Sequence, residues 1–176
     1  VLANAEMCNE VADEQHGSRK HHQAALLGLS KVLTGDIFQY DRRSGCYGMN
    51  DAKCCFDRIQ HTFAVLVLMY YGVAWSVAST LFDVLQKAKH KIKTGYGVSA
   101  PVYGDEATAI SGIGQGNGLG PALWALISSI VFKMCKARGH GMNLLTPIPK
   151  NVISFMGFAF VDDADLIAGA KDVNTS

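Results

Sequence analysis

The hydrophobic positions of this chain repeat with a helical period in some stretches and alternate in others. Residues 23–33 place Ala24, Leu26, Leu27, Leu29, Val32 and Leu33 on a helical stripe, and Gly35-Asp36 marks its expected end. Residues 46–54 read as a strand running into Asp51, after which Asp57 is expected to cap a helix. Two apolar helices follow, over 57–71 and 74–89, parted at Tyr71-Gly72. Residues 91–98 and 102–110 alternate as a hairpin with its turn near Pro101 or Gly104. A glycine-rich loop over 112–120 leads into an apolar helix over 121–137, with Pro121 in its first turn. Basic residues and then glycine, Lys136-Ala137-Arg138-Gly139, end that helix. After a proline-bearing loop at 146–150, residues 153–161 and 164–169 read as two strands with Asp162-Asp163 at the bend. The order predicts an α+β fold, an antiparallel sheet with helices packed on one face.

Composition narrows the class. The chain has 176 residues, 49% hydrophobic and 18% charged, which excludes a disordered tail and allows one domain with a buried core. The net charge of +1 hides an uneven distribution. Residues 1–14 carry four acids and no base, residues 15–150 carry fifteen bases and seven acids, and residues 151–176 carry four acids and one base. A basic middle suits a polyanionic ligand. Five cysteines, an odd number without a Cys-x-x-Cys pair, read as reduced core thiols of an intracellular protein, nuclear or cytoplasmic, without a signal peptide. Val1 at one end and the apolar run before Asn174-Thr175-Ser176 at the other give both ends the look of cuts. Residues 62–82 hold no charge over 21 positions, the length of a membrane span, but Gly72, Ser76, Ser79 and Thr80 favour two buried helices.

The candidate chemistry lies in three places. Asp162-Asp163 sits between Phe158-Ala159-Phe160-Val161 and Leu166-Ile167-Ala168. Adjacent carboxylates in apolar surroundings repel each other and need a positive partner, for which a divalent cation is the specific candidate. Asp51, at the end of another expected strand, would supply a third carboxylate for a two-metal site. The loop with glycines at 112, 114, 116, 118 and 120 lacks the Lys-Ser/Thr of a Walker loop. It suits close backbone approach to a ligand, with Gln115 as its hydrogen-bonding side chain.

Together, Asp51-Ala52-Lys53-Cys54-Cys55-Phe56-Asp57, Gly114-Gln115-Gly116 through Gly120-Pro121, and Phe160-Val161-Asp162-Asp163 resemble the three core motifs of reverse transcriptases, in the same order. Glu14-Gln15-His16-Gly17-Ser18-Arg19-Lys20 is similar to the segment before the first motif in non-LTR retrotransposon and group II intron enzymes. The resemblance spans residues 14–169. It implies a right-hand polymerase palm over 46–176, with 1–45 as a remnant of the fingers and an upstream palm helix. Fingers before Val1 and a thumb beyond Ser176 would belong to a longer polyprotein.

By the same resemblance, Asp51, Asp162 and Asp163 hold two magnesium ions, with manganese as the substitute. Cys54, Cys55, Phe56, Gln115 and Gly116 meet the incoming deoxynucleoside triphosphate, and the Phe56 ring favours deoxy sugars. The partners would be an RNA template and a DNA primer, with no membrane. Arg19, Lys20, Lys87, Lys89, Lys91 and Lys93 become candidates for phosphate contacts along the duplex. The sequence departs from the family pattern at Gly114 (usually Pro), Gly120 (usually Ser), Phe160 (usually Tyr) and Cys54-Cys55. Two other readings are an inactive retroelement remnant that binds nucleic acid and a small membrane protein spanning at 62–82.

Overall fold

The computed structural model describes residues 1–104, 111–114, 116–145 and 151–169. Gln115, residues 105–110 of the expected hairpin and the 146–150 loop lie outside these described residues. The elements are α1 (Leu2–Met7), α2 (Ala24–Tyr40), β1 (Gly45–Asp51), a 3-10 turn (Cys55–Arg58), α3 (His61–Tyr70), α4 (Trp75–Lys87), β2 (Lys93–Thr94), β3 (Gly97–Val98), α5 (Leu119–Ala137), β4 (Met142–Leu145), β5 (Val152–Phe155), β6 (Gly157–Phe160) and β7 (Asp163–Gly169). The fold is mixed α+β with antiparallel sheets. Two compact units divide the chain: Cys54–Leu123, and Leu2–Lys53 together with the chain from Trp124 onward. Neither boundary lies at 45/46.

The second unit is built on a three-stranded sheet in the order β1-β7-β6, with β7 central. The free edge of β6 is covered by residues 14–16, which bridge in parallel at Gln15 and Ala159. The β1–β7 register sets Gly45 opposite Gly169 and Asp51 opposite Asp163. Side chains alternate across a strand, so Asp163, Asp165 and Ile167 share one face with Tyr47, Asp51, Phe158 and Phe160. On that face Leu27 and Phe38 of α2 pack with Phe158, Ile167 and Met142. On the opposite face Phe132 and Cys135 of α5 pack with Ala159 and Ala164. The helices therefore lie on both faces of the sheet, where the sequence led us to expect one. The reason is that β6 and β7 offer apolar side chains to both sides. All seven residues of β1 are exposed.

Several elements differ from expectation. Helix α2 runs through Gly35-Asp36 to Tyr40. A glycine inside a helix costs about 1 kcal/mol, and burying Phe38 three turns beyond Leu27 returns about 1.5–3 kcal/mol, so the helix continues. The expected strand over 153–161 changes partners at Met156: β5 pairs with β4, which the sequence reading missed, and β6 pairs with β7. Three of the five cysteines, Cys8, Cys46 and Cys54, are exposed and only Cys55 is fully buried, so none is in a disulfide but not all are core residues.

The first unit bears out the division of the charge-free stretch. Helices α3 and α4 are separate, and Gly72 between them has a φ of +82°. Among the described residues a hairpin turn falls inside the expected first strand: β2 pairs with β3 around Gly95-Tyr96, and His90 bridges to Tyr103. Pro101 and Gly104 do not form its turn. Helix α5 begins near the expected place. It ends with the His140 N–H on the Cys135 carbonyl and the Gly139 N–H on the Lys136 carbonyl, at 3.1 and 2.9 Å, the Schellman pattern that a terminal glycine permits. By length and composition α5 is apolar enough to cross a membrane, with a mean hydropathy of 1.3. Its side chains Phe132, Leu126 and Ser129 are buried in the fold.

Phe38 is buried against Met142, Phe158 and Ile167, so Phe38→Ala is expected to lower the unfolding free energy by about 3–5 kcal/mol, read from urea denaturation followed by circular dichroism.

Candidate functional site

The acidic strand ends are brought together by register. β1 ends on Asp51, β7 begins on Asp163, and the two are directly opposite. Directly opposed residues of an antiparallel pair have Cβ atoms roughly 4.5–5.5 Å apart on one face of the sheet. The neighbouring peptide is tied in as well, since the Ala52 N–H donates to the Asp162 carbonyl at 3.2 Å. Phe160 on β6 flanks Asp163 on its other side.

Asp51 and Asp163 are exposed and Asp162 is half-buried. None of the three forms an ion pair among the described residues, whereas Asp165, two residues on, is paired with Lys31. Among the described residues no three His, Cys, Asp or Glu side chains converge closely enough to hold a metal ion. What the fold fixes is thus the backbone register. Aspartate side chains at exposed positions exchange rotamers freely about it. Three carboxylates without a cation offer the hard oxygen donors that magnesium and manganese prefer, so the donor chemistry fits those ions.

The residues assigned to nucleotide contact lie in the first unit. Cys54 has a left-handed backbone (φ +52°) and is exposed, Cys55 is buried, and Phe56 is half-buried in the 3-10 turn. This turn and the glycine-rich segment are in contact. The Ile113 N–H donates to the Phe56 carbonyl at 3.0 Å, and Ser111 Oγ donates to the Asp57 carbonyl at 3.1 Å. A Cβ at Gly112 would collide with the Phe56 carbonyl and the Asp57 backbone, and its φ of +78° suits glycine alone. The Phe56 ring lies 3.4 Å from where a Cβ on Gly120 would stand. Gly116 is exposed with a φ of +86°. Asp57 does not cap the next helix, as had been expected: α3 starts at His61 after Gln60, without a side-chain cap. The side chain that organises the loop end is Asn117, whose Oδ1 accepts the Leu119 N–H at 3.0 Å at the start of α5. An asparagine two residues before an apolar helix is a legible signal for this role. The cleft between α3 and α4, about 480 Å³, is lined by His61, Val65, Trp75, Phe82 and Asp83 and includes none of the predicted site residues.

The basic candidates separate into two kinds. Arg19 is largely buried; it donates from Nε to Glu6 at 2.9 Å and from Nη1 to the carbonyls of Ala12 and Gln15 at 3.1 and 3.0 Å. Its guanidinium is a strap within the amino-terminal segment. Lys87 pairs with Asp83 one turn earlier at 2.7 Å, an exposed pair worth little. Lys20, Lys89, Lys91 and Lys93 are exposed and in no ion pair among the described residues. Lys89, Lys91 and Lys93 recur at every second residue around the His90–Tyr103 bridge and the start of β2.

The sequence reading passed over Glu14 and Gln15 as individual residues. Both are buried, at 3% and 0% exposure. Glu14 Oε1 accepts the Met156 N–H at 3.0 Å and pairs with Lys136 at 2.6 Å. A buried carboxylate facing a distant lysine has no local sequence signature. Nearby, His16 and His22 meet edge to face at 5.0 Å. Burial first, then His22 and Arg19, hold the proton affinity of His16 below the ordinary histidine range; burial and then Arg19 do the same for His22.

Two outcomes are expected from these arrangements. Because both rings bind a proton less readily in the folded chain, the unfolded chain takes up more protons as the pH falls through about 6.5, so stability falls as the pH drops through that value. Urea midpoints on either side of it should show the loss, and a His16→Asn, His22→Asn double variant should reduce it. Asp163→Asn removes a directly opposed like charge and should stabilise the metal-free chain by about 0.2–1 kcal/mol, measured by urea denaturation with a chelator present.

No protein-family model matches this chain, and no curated protein is significantly similar to it.

Proposed function

We propose that the chain is the palm part of a reverse transcriptase of the non-LTR retrotransposon or group II intron type. It would catalyse RNA-templated transfer of deoxynucleotides to a primer 3′-hydroxyl. The observation that carries this reading is the register that sets Asp51 opposite Asp163 at neighbouring strand ends, with Asp162 adjacent and, among the described residues, no basic side chain paired to any of the three. Two motifs more than a hundred residues apart in sequence would not otherwise be expected to supply acids to one strand-end cluster. The separate contact of the Phe56 turn with the glycine-rich segment supports the pairing of the two nucleotide-binding motifs.

In this reading Asp51, Asp162 and Asp163 hold magnesium, which supplies charge neutralisation for the attacking hydroxyl and the departing pyrophosphate. Cys54, Cys55, Phe56, Gln115 and Gly116 position the triphosphate and its sugar. Lys20, Lys89, Lys91 and Lys93 meet duplex phosphates without reading sequence. Lys87 joins them only by leaving Asp83. Arg19 is reassigned from duplex contact to holding the amino-terminal segment, since its donors are engaged within the chain.

The test is magnesium-dependent primer extension on a primed RNA template with the four deoxynucleoside triphosphates. Extension is expected from a version of the chain carrying fingers and thumb, and Asp162→Asn should reduce it by about a thousandfold or more, the scale at which charge-stabilising groups act. Undiminished extension by that variant would overturn the assignment. Replacing Lys89, Lys91 and Lys93 by alanine should weaken duplex binding and flatten its salt dependence, by about 0.9 in slope per lost phosphate contact.

A further inference from the structure

The turn that carries the paired aspartates has the wrong residue for its shape. Phe160 and Asp163 are register partners, so Val161 and Asp162 form a two-residue hairpin loop. Val161 has a φ of +56°. Two-residue hairpin loops favour positive φ at the first central residue, but glycine, asparagine or aspartate normally occupies it. A β-branched side chain resists this region. Such a conformation persists only where the surroundings impose it.

The surroundings are specific. The Val161 carbonyl accepts two hydrogen bonds, from Trp124 Nε1 at 2.6 Å and from Gln15 Nε2 at 3.3 Å. Gln15 is fully buried; its second Nε2 hydrogen goes to Ser128 Oγ at 2.8 Å, and its Oε1 accepts the Gly17 N–H at 2.9 Å. Trp124 and Ser128 are one turn apart on α5, so one helix face holds both the carbonyl and the glutamine that grips it. Gly17 leaves room for the turn, since a Cβ there would collide with the Val161 backbone nitrogen. The strip bearing Gln15 is itself fixed to β6. The Ala159 N–H donates to the Glu14 carbonyl and the His16 N–H to the Ala159 carbonyl, each at 2.8 Å. On the far side of Asp162, its own carbonyl accepts the Ala52 N–H at the end of β1. The peptide groups before and after Asp162 are thus pinned to different elements.

We infer that Gln15 and Trp124 are positioning residues for the acidic turn: by clamping the Val161 carbonyl they hold Val161 at positive φ and so fix the backbone of Asp162 and Asp163 beside the end of β1. The inference rests on the metal-binding reading of those carboxylates. Gln15 and Trp124 touch neither metal nor substrate; they act through Val161.

The experiment measures Mn2+ binding to the chain by electron paramagnetic resonance, together with amide hydrogen exchange at Asp162 and Asp163. Trp124→Phe keeps an aromatic ring and removes the N–H. It should weaken Mn2+ binding about fivefold, the worth of one hydrogen bond, and speed exchange at both amides. Adding Val161→Gly should restore binding to within about twofold of the unsubstituted chain, because glycine holds positive φ without a clamp. A loss arising only from packing would not be rescued in this way. Gln15→Leu, which removes the other donor, should behave like Trp124→Phe if it folds. If Asp163→Asn weakens Mn2+ binding but Trp124→Phe does not, the clamp is overturned and the metal site stands. If the aspartate variants bind Mn2+ as well as the unsubstituted chain, the metal reading fails, and unchanged exchange in Trp124→Phe then overturns the clamp as well.

Discussion

Register is the constraint on which the acidic site depends. In a β-sheet a slip of one residue moves every side chain of a strand to the other face. Between β6 and β7 the two-residue loop at Val161-Asp162 leaves no room for a slip, so Phe160 must face Asp163. That fixes which β7 side chains point toward α2. Ile167 then falls into the apolar cluster with Leu27 and Phe38, and Asp165 meets Lys31. Asp163 occupies the last position on the same face, where no basic group of α2 pairs with it. An apolar cluster at Ile167 and an unpaired acid four positions earlier are consequences of the same alternation.

The amino-terminal segment works as a polar scaffold for that register. Residues 14–16 cover the β6 edge, which would otherwise present unpaired backbone groups. Burying Glu14 and Gln15 there is costly unless their polar atoms are satisfied. Gln15 uses both its amide hydrogens and its carbonyl oxygen, and Glu14 Oε1 takes a backbone N–H and a lysine. Glu14 Oε2 is buried without a hydrogen-bond partner, which makes the Lys136 pairing the main compensation for its charge. Arg19 closes the same segment onto Glu6. A basic cluster that looks in sequence like a phosphate contact has become, at Arg19, an internal brace.

Much of this was legible from local pattern. The break at Gly72, the glycine stop of α5 and the acids at a hairpin bend each have short-range signals with a physical cause. What sequence missed depended on distant partners. The extension of α2 past Gly35 is driven by burial of Phe38 against β6 and β7. Strand β4 exists because β5 pairs with it, not because Met142-Asn143-Leu144-Leu145 alternates. The roles of Arg19 and Gln15 are set by contacts with carbonyls that no periodicity reports. At the candidate site, the positions of the acids on strand ends were readable, but the like-charge pairing of Asp51 with Asp163 needed the register itself. Asp57 looked like a helix cap by residue type, and the 3-10 turn pre-empted it.

The wholly exposed β1 has its own consequence. It has no fully buried residue, contains two glycines, and apart from Tyr47 against Phe38 is held mainly by its hydrogen-bond ladder to β7. Segments with few buried contacts open at far lower free energy than the core around them. Detachment of β1 would remove Asp51 from its neighbours while the Leu27–Phe38–Ile167 packing stayed closed. The three carboxylates therefore sit on supports of unequal firmness: two on a braced turn, one on a fraying ribbon. The latter sets how long the acidic cluster stays assembled.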